Sequence, residues 1–285
     1  MLEAPTQPRQ VLPDNPMAAS RKAVAKQDLL TPFFQFLRAP ASAIGTPIVE
    51  DMLRLRYEVY CLERNFLVAE DFDNGLEIDE FDVCSTHFGG YNMDNLIVGS
   101  VRLVQPPVGL NFPFEQHCPV FDTFQFPPRE QSGEISRLVV RKTYRRRRGD
   151  SLQGISKEFM DKGNAAAIKP SAGGSRRNGD SPRLLLGLYR EMYRHSRATG
   201  VRYWFAAMER SLAFSLGKMG FKFVPIGPAT DYYGPVTPFM VDLDELNETL
   251  RKENKLLAAW FNDEPIPLWL RIQMWLLLHV PTKRR

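Results

Sequence analysis

An α/β domain with a mixed, mostly antiparallel central sheet flanked by helices is the fold class this sequence predicts, and three observations predict it. Two apolar runs, "CSTHFGGY" at 84–91 and "NLIVGSVRLVQ" at 95–105, stand on either side of a turn-like "NMDN", the pattern of an antiparallel hairpin. From residue 182 onward helical and strand patterns alternate, as they do in α/β units. A chain of 285 residues with 44% hydrophobic content is long enough to bury a large core, and that composition excludes disorder throughout.

Each element follows in turn. Residues 1–28 carry prolines where a secretory signal needs an unbroken apolar run, so they are expected to form a flexible tail. The folded domain is expected over 29–243. It opens with an aromatic strand, "PFFQFLRA" (32–39), feeding a helix, "TPIVEDMLRLRYEVYCLER" (46–64), with Thr46 as N-cap and Pro47 at the first helical position. An acidic loop, "EDFDNGLEIDEFD", leads into the hairpin, and a proline-rich connection (106–128) leads to the strand "GEISRLVV", expected at the centre of the sheet. A mobile excursion is expected over 163–182, within which "KPSAGGSRRNGDSP" is rich in glycine, serine and arginine. The amphipathic helix "PRLLLGLYREMYRHSRATG" follows, closed by Gly200, then the strand "VRYWFAAM", the helix "ERSLAFSLGKMG" and the strands "FKFVPIG" and "TPFMVDL". A helical C-terminal extension is expected over 244–285. Its last stretch, "LWLRIQMWLLLHV", has two tryptophans and a trailing "KRR". Packing against the domain or a partner subunit is one reading, and peripheral membrane contact through 266–285 is the other.

A net charge of +4 is modest for this length, so an acidic partner would be met by a local patch, which the run Arg145–Arg148 supplies. Cys61, Cys84 and Cys118 show no paired metal-ligand spacing and are too few for a disulfide scaffold; a reducing cytoplasm and no metal are expected.

The chemistry is concentrated in "EISRLVVRKTYRRRRGDS" (134–151). In a regular strand Glu134 and Arg137, three residues apart, point to opposite faces. A β-bulge between them would bring both to one side and free backbone N–H groups near Val139 and Val140 to receive a carbonyl oxygen as it becomes an oxyanion. An ordinary strand with a structural Glu134–Arg137 ion pair is the alternative. Downstream, Arg146, Gly149 and Ser151 have the spacing of a phosphate cradle: glycine admits an anion to the backbone and arginine adds bidentate contacts. A solvated basic turn is its alternative, and nucleic acid is not expected because no aromatics interleave the arginines.

Four stretches in order, "LRYEVYCLERNF", "EIDEFD", "IVGSVRLV" and "EISRLVV", resemble the acyl-homoserine-lactone (autoinducer) synthases and related N-acyl amino acid synthases of the GNAT acyltransferase superfamily. Stretches such as "YCLERNF", "RRGDS" and "YYGPVTP" resemble the branch associated with exosortase and PEP-CTERM sorting systems. The resemblance, over about 33–243, implies a GNAT fold with a V-shaped mixed sheet, an acyl thioester donor and an amine acceptor. It places the family's motif residues at Arg56, Asp79, Asp82, Arg102, Glu134 and Arg137, and a phosphate-binding motif at Arg146, Gly149 and Ser151. Tyr60 and Phe66 stand where autoinducer synthases carry phenylalanine and tryptophan, which implies a different acceptor. No tyrosine in "ERSLAFSLGKMG" is available to protonate a departing thiolate.

An α-ammonium must lose a proton before it attacks a thioester, and Glu134 is the expected base. Arg56, Asp79, Asp82, Arg102 and Arg137 are expected to order the acceptor pocket or, alternatively, only to fix the loop. The expected donor is an acyl carrier protein presenting its phosphopantetheine arm, or coenzyme A, with no tightly bound cofactor; Arg145–Arg148, Arg176, Arg177 and Arg183 would steer an acidic carrier. The function expected is transfer of a fatty acyl group to the amine of an amino acid. Lactone synthesis from S-adenosylmethionine and a non-catalytic acyl-carrier or lipid-binding module are the alternatives.

Overall fold

The computed structural model describes residues 33–145 and 180–266. One half of its sheet is an antiparallel meander: β1 (Phe34–Ala39), β2 (Ser85–Asn92), β3 (Ile97–Val104) and β4 (Ser132–Val140). The other half is β5 (Tyr203–Met208), two-residue strands β6 (Val224–Pro225) and β7 (Thr230–Asp231), and β8 (Pro235–Asp242). The spatial order is β1-β2-β3-β4-β5-β8-β6, with β7 also paired to β8. The two halves meet through parallel pairing of only three residues on each side, Ser132, Gly133 and Glu134 with Tyr203, Trp204 and Phe205. Beyond Glu134, β4 and β5 each continue without pairing to one another, so the sheet opens there as the expected V.

Helices cover both faces of the meander. α1 (Pro47–Tyr57) starts with Pro47 at its first turn, and a wider-turned helical segment, Glu58–Glu63, extends it. Thr46 stands at the N-cap as expected and its carbonyl accepts the Glu50 N–H at 3.0 Å, while its hydroxyl donates to Ala43 O and not to the helix. α2 (Asp180–Thr199) ends at Gly200, whose φ of 79° is the left-handed geometry expected of a helix stop. The consecutive glycines of "HFGGY" explain how both helices come close. Adjacent strand residues point to opposite faces. A Cβ at Gly89 would meet Met52 of α1 at 2.6 Å, and one at Gly90 would meet Leu184 of α2 at 2.5 Å.

α3 (Arg210–Lys218), α4 (Leu243–Glu253) and α5 (Lys255–Phe261) complete the order. Asp242 caps α4 and Asn254 caps α5 through their side-chain oxygens, each satisfying an early helix N–H. Leu246, Leu250, Leu257, Trp260 and Phe261 enter the same core as Leu188, Tyr189, Met192, Trp204 and Phe221. The segment from 244 to 266 is therefore one body with the sheet.

Two sequence expectations change. The strand expected over 221–227 shrinks to Val224–Pro225, because Pro225 has no N–H to extend an edge pairing. The excursion expected over 163–182 ends earlier, since α2 begins at Asp180; its remainder, the tail over 1–28 and residues 267–285 lie outside the described residues. Among the described residues no helix is long and apolar enough to cross a membrane.

Candidate active site

Three arginines and three carboxylates form a closed ring in which every member bridges two of opposite charge. Arg56, on α1, bonds Glu77 closely through Nε and grips both oxygens of Asp82, at 2.7 and 3.1 Å. Arg102, on β3, bonds Asp82 at 2.8 Å and both oxygens of Asp79, at 2.5 and 2.7 Å. Arg137, on β4, returns from Asp79 at 3.0 Å to Glu77 at 3.1 Å. The charges cancel. Burial opposes the charge on Asp82, but Arg56 and Arg102 together outweigh it and hold its carboxyl well below the usual carboxylate range. Burial also pushes neighbouring His87, 3.9 Å from Asp82, down to about 4, so it stays neutral and leaves the balance intact.

This ring joins all five charged residues expected to order the pocket, and it adds Glu77, which the sequence reading passed over. Glu77 is fully buried, whereas Glu80 in the same "EIDEFD" is exposed. Asp79 and Asp82 are set by tight turns, Asp82 Oδ2 accepting the Asp79 N–H and Asp79 Oδ1 the Phe81 N–H, while Glu77 lies just before them on a stretch whose N–H donates to Leu53 O of α1. Arg56 and Arg102 are enclosed at 1% exposure. Arg137 at 12% and Asp79 at 16% form the outer edge.

The expected bulge exists, but it lies at Arg137 instead of between the two residues. Pairing runs Val104↔Glu134, Leu103↔Ile135 and Arg102↔Ser136, then resumes one residue later at Ser100↔Val139 and Gly99↔Val140. Arg137 and Leu138 together oppose Val101, and Arg137 takes a φ of 52°. A left-handed arginine costs about 1–3 kcal/mol, and the bonds to Glu77 and Asp79 with the Tyr60 ring 5.2 Å from the guanidinium hold it there. After the bulge Arg141 N–H donates to Val98 O at 2.8 Å. By antiparallel alternation Val139 N–H also turns toward β3, while Leu138 and Val140 turn theirs to the opposite edge, where β5 has parted from β4. Of the two expected oxyanion donors, Val140 thus turns its N–H to the opened edge, as Leu138 does, and Val139 turns its N–H to β3.

Glu134 sits at the last β4–β5 pair, where the V begins. It is 2% exposed, and its Oε2 accepts the Phe114 N–H at 2.9 Å. The rings of Phe112 and Phe114 pack on each other and on Phe205, the β5 partner of Glu134, and the turn bearing Phe112 and Phe114 is clamped by Arg129 on Glu115. Burial in this apolar setting pushes the carboxyl up to about 8, against the Phe114 amide and the charges of Arg102 and Arg137. The alternative of a plain Glu134–Arg137 ion pair fails: the arginine is taken by Glu77 and Asp79, the carboxylate by the Phe114 amide.

Tyr60 and Phe66 lie together, with ring centroids 6.1 Å apart and the Arg137 guanidinium over the Tyr60 ring. Tyr232, between β7 and β8, is a residue the sequence reading missed as part of the site. Burial pushes its hydroxyl up to about 12, Arg137 pulls it down and Glu134 adds to the rise. The basic patch is altered. Arg145 pairs with Glu63 and donates to Val140 O, and Arg183 is buried against the Phe33 ring. Arg146, Gly149 and Ser151, with Arg147, Arg148, Arg176 and Arg177, lie outside the described residues.

Residues 55–153 match the family model of the acetyltransferase (GNAT) domain. No curated protein matches the chain. Among solved structures, TofI in a ternary complex with an inhibitor and MTA aligns with a TM-score of 0.52 at 15% identity, over 76% of this chain and 95% of that one. BjaI, a CoA-dependent acyl-homoserine lactone synthase with MTA, gives 0.52 at 17% identity over 84% and 98%. The AHL synthase LasI gives 0.50 at 15% identity over 78% and 95%. With a mixed sheet that splits after Glu134 and a bulge on its fourth strand, the chain has a GNAT-like α/β fold.

Proposed function

We propose that the chain transfers a fatty acyl group from a thioester to the amine of an amino acid. Glu134 carries this reading: a buried carboxyl poised near pH 8 at the mouth of the V, with outward-turned amides a few residues on in the same strand. An ammonium entering beside it gives up a proton to the carboxylate, and the freed amine attacks the thioester carbonyl. The carbonyl oxygen, as it gains charge, is received by the Leu138 and Val140 N–H groups. Collapse expels the thiolate, which takes up a proton as the amide forms. The transfer is direct. Cys118, whose thiol is pushed up to about 11 by burial and by the charge of Glu134, remains a thiol near neutral pH, which disfavours an acyl-enzyme.

The donor is a phosphopantetheine thioester, carried by an acyl carrier protein or coenzyme A, which the basic run Arg146–Arg148 and its glycine would grip by the phosphate. BjaI is CoA-dependent, so both donors belong in the test. The ion ring holds the bulge and the acceptor side in place.

The deciding experiment offers the protein a long-chain acyl thioester, pooled amino acids and S-adenosylmethionine, and identifies the products by mass spectrometry. An N-acyl amino acid with equivalent free thiol supports the proposal. An acyl-homoserine lactone overturns the acceptor, and thiol release no faster than spontaneous hydrolysis overturns the enzyme.

A further inference from the structure

Five rings follow one another in tilted and stacked contacts across the proposed acceptor side. Tyr60 and Phe66 are 6.1 Å apart, Phe66 and Tyr233 5.9 Å, Tyr233 and Tyr232 4.8 Å, and Tyr232 and His117 4.2 Å. Tyr60 and Phe66 belong to the end of the first helical segment and the loop after it, and Tyr60 covers Arg137. Tyr232 and Tyr233 form the tip of the β7–β8 hairpin, which is anchored on the other half of the sheet. The arc therefore joins the two halves on the side where β4 and β5 have parted.

The hairpin tip is built to hold this position. Tyr233 takes a φ of 54°, a strained conformation for a bulky residue, while Gly234 N–H donates to Asp231 Oδ1 and Tyr232 N–H to Gly234 O. Strain of this kind persists only where surrounding contacts over-determine it, and here it sets an aromatic ring against Phe66. Phe66 and Tyr233 nonetheless remain 37% and 39% exposed, so their contact leaves apolar faces uncovered instead of closing a core. Tyr232 brings the other end of the arc beside Arg137 and Glu134.

We propose that the β7–β8 hairpin selects the acceptor: Tyr233, with Phe66 and Tyr60, receives the acceptor's side chain, so the site takes amino acids with aromatic or large apolar side chains. The inference rests on the acyl-transfer reading and adds a specificity to it. A charged side chain would lose water against these rings, and the arginines and carboxylates of the ion ring are already paired with one another. An aromatic side chain gains area and edge-to-face contact.

The test compares kcat/KM for phenylalanine and for glycine, at a fixed acyl donor, in the wild type, Tyr233→Ala and Tyr233→Phe. Far-UV circular dichroism and Tm confirm that each variant is folded. The wild type is expected to favour phenylalanine. Tyr233→Ala lowers that ratio about 10-fold, the size of a modest change in an apolar pocket, through KM for the amino acid and not KM for the donor. Tyr233→Phe keeps the ring and restores the ratio. A wild type that prefers glycine or charged amino acids, or a ratio unchanged in Tyr233→Ala, overturns the hairpin's role while leaving acyl transfer standing. Absence of amine-dependent thiol release from every acceptor overturns the acyl-transfer reading itself.

Discussion

A carboxylate that takes a proton from an ammonium works best when it holds that proton about as tightly as the surrounding water does at the working pH. Glu134, pushed up to about 8 by burial, meets that condition in the free protein, so kcat/KM should rise with pH along a limb centred near 8. Glu134→Gln should lose about 10²- to 10⁴-fold in kcat and lose that limb; steady-state rates from pH 6 to 9.5 check both. The same shift has a stability consequence of definite sign. A glutamate raised from its ordinary 4.5 to about 8 on folding contributes stability that is full below 4.5 and is lost as pH rises through 8. Glu134→Gln should therefore gain in Tm relative to the wild type as pH increases from 6 to 9. A constant difference would mean that the carboxyl is not buried as described. The ion ring gives the opposite kind of residue. Glu77→Gln leaves Arg56 and Arg137 each short of an anion in a buried site, and removing one partner of such a pair costs about 3–5 kcal/mol. Exposed Glu80→Gln, three residues away, should change stability by less than about 0.5 kcal/mol. Urea unfolding of the two variants separates them.

Between elements, close approach decides what can be changed. Gly227, just past β6, has Pro119 O at 2.0 Å from where a Cβ would stand, and Phe121 N–H bonds Ile226 O beside it. A backbone carbonyl cannot swing aside as a side chain can. Gly227→Ala should cost about 1–3 kcal/mol and should lower activity as well, because the displaced segment carries the Phe114 amide that holds Glu134. Gly217, in α3, has nothing within 4 Å of its Cβ position, and Gly217→Ala should stabilise by up to about 1 kcal/mol. Thermal unfolding of the pair checks the contrast. Elements of this kind also mark where the sequence was legible. The hairpin, α1, α2 and the central strand could be seen because apolar period and turn chemistry are local signals, and Pro47, "NMDN" and Gly200 punctuate them. Glu134 and Arg137 could be singled out because a carboxylate and an arginine inside an apolar strand contradict its pattern. What stayed hidden was non-local. Arg137 carries the bulge in a left-handed conformation that sequence alone does not assign to an arginine, and only the ladder to β3 shows which amides are turned outward. Glu77 and Glu80 look alike until the loop is laid against α1, where the Glu77 N–H donates to Leu53 O and its side chain is buried. Tyr232 is 98 residues from Glu134 in sequence, and the crossing of the V brings them together.

At the scale of the whole molecule, the balance of charge separates what acts on chemistry from what acts on encounter. Arg56, Arg102 and Arg137 are spent within the ring, and Arg145 and Arg183 are tied to Glu63 and to the Phe33 ring. With a net charge of only +4, the proposed attraction toward an acidic carrier calls for a local concentration of charge, and the run Arg145–Arg148 is the densest in the sequence. Charges on the rim of an interface act mainly on association and are screened by salt, whereas charges that hold a site together act on every substrate alike. Arg147→Gln/Arg148→Gln leaves unchanged Arg146 and Gly149, the residues proposed to grip the phosphate, so the double variant tests the encounter alone. Its kcat/KM with an acyl carrier protein should fall about 10-fold at low ionic strength and approach the wild type near 0.5 M salt. With a short acyl-pantetheine thioester, which has no acidic surface, the change should stay within about 2-fold at every salt concentration. Equal losses on both donors, insensitive to salt, would place these arginines in folding or chemistry. A loss shared by acyl-coenzyme A but absent from acyl-pantetheine would assign them to the nucleotide's phosphates and make coenzyme A the donor.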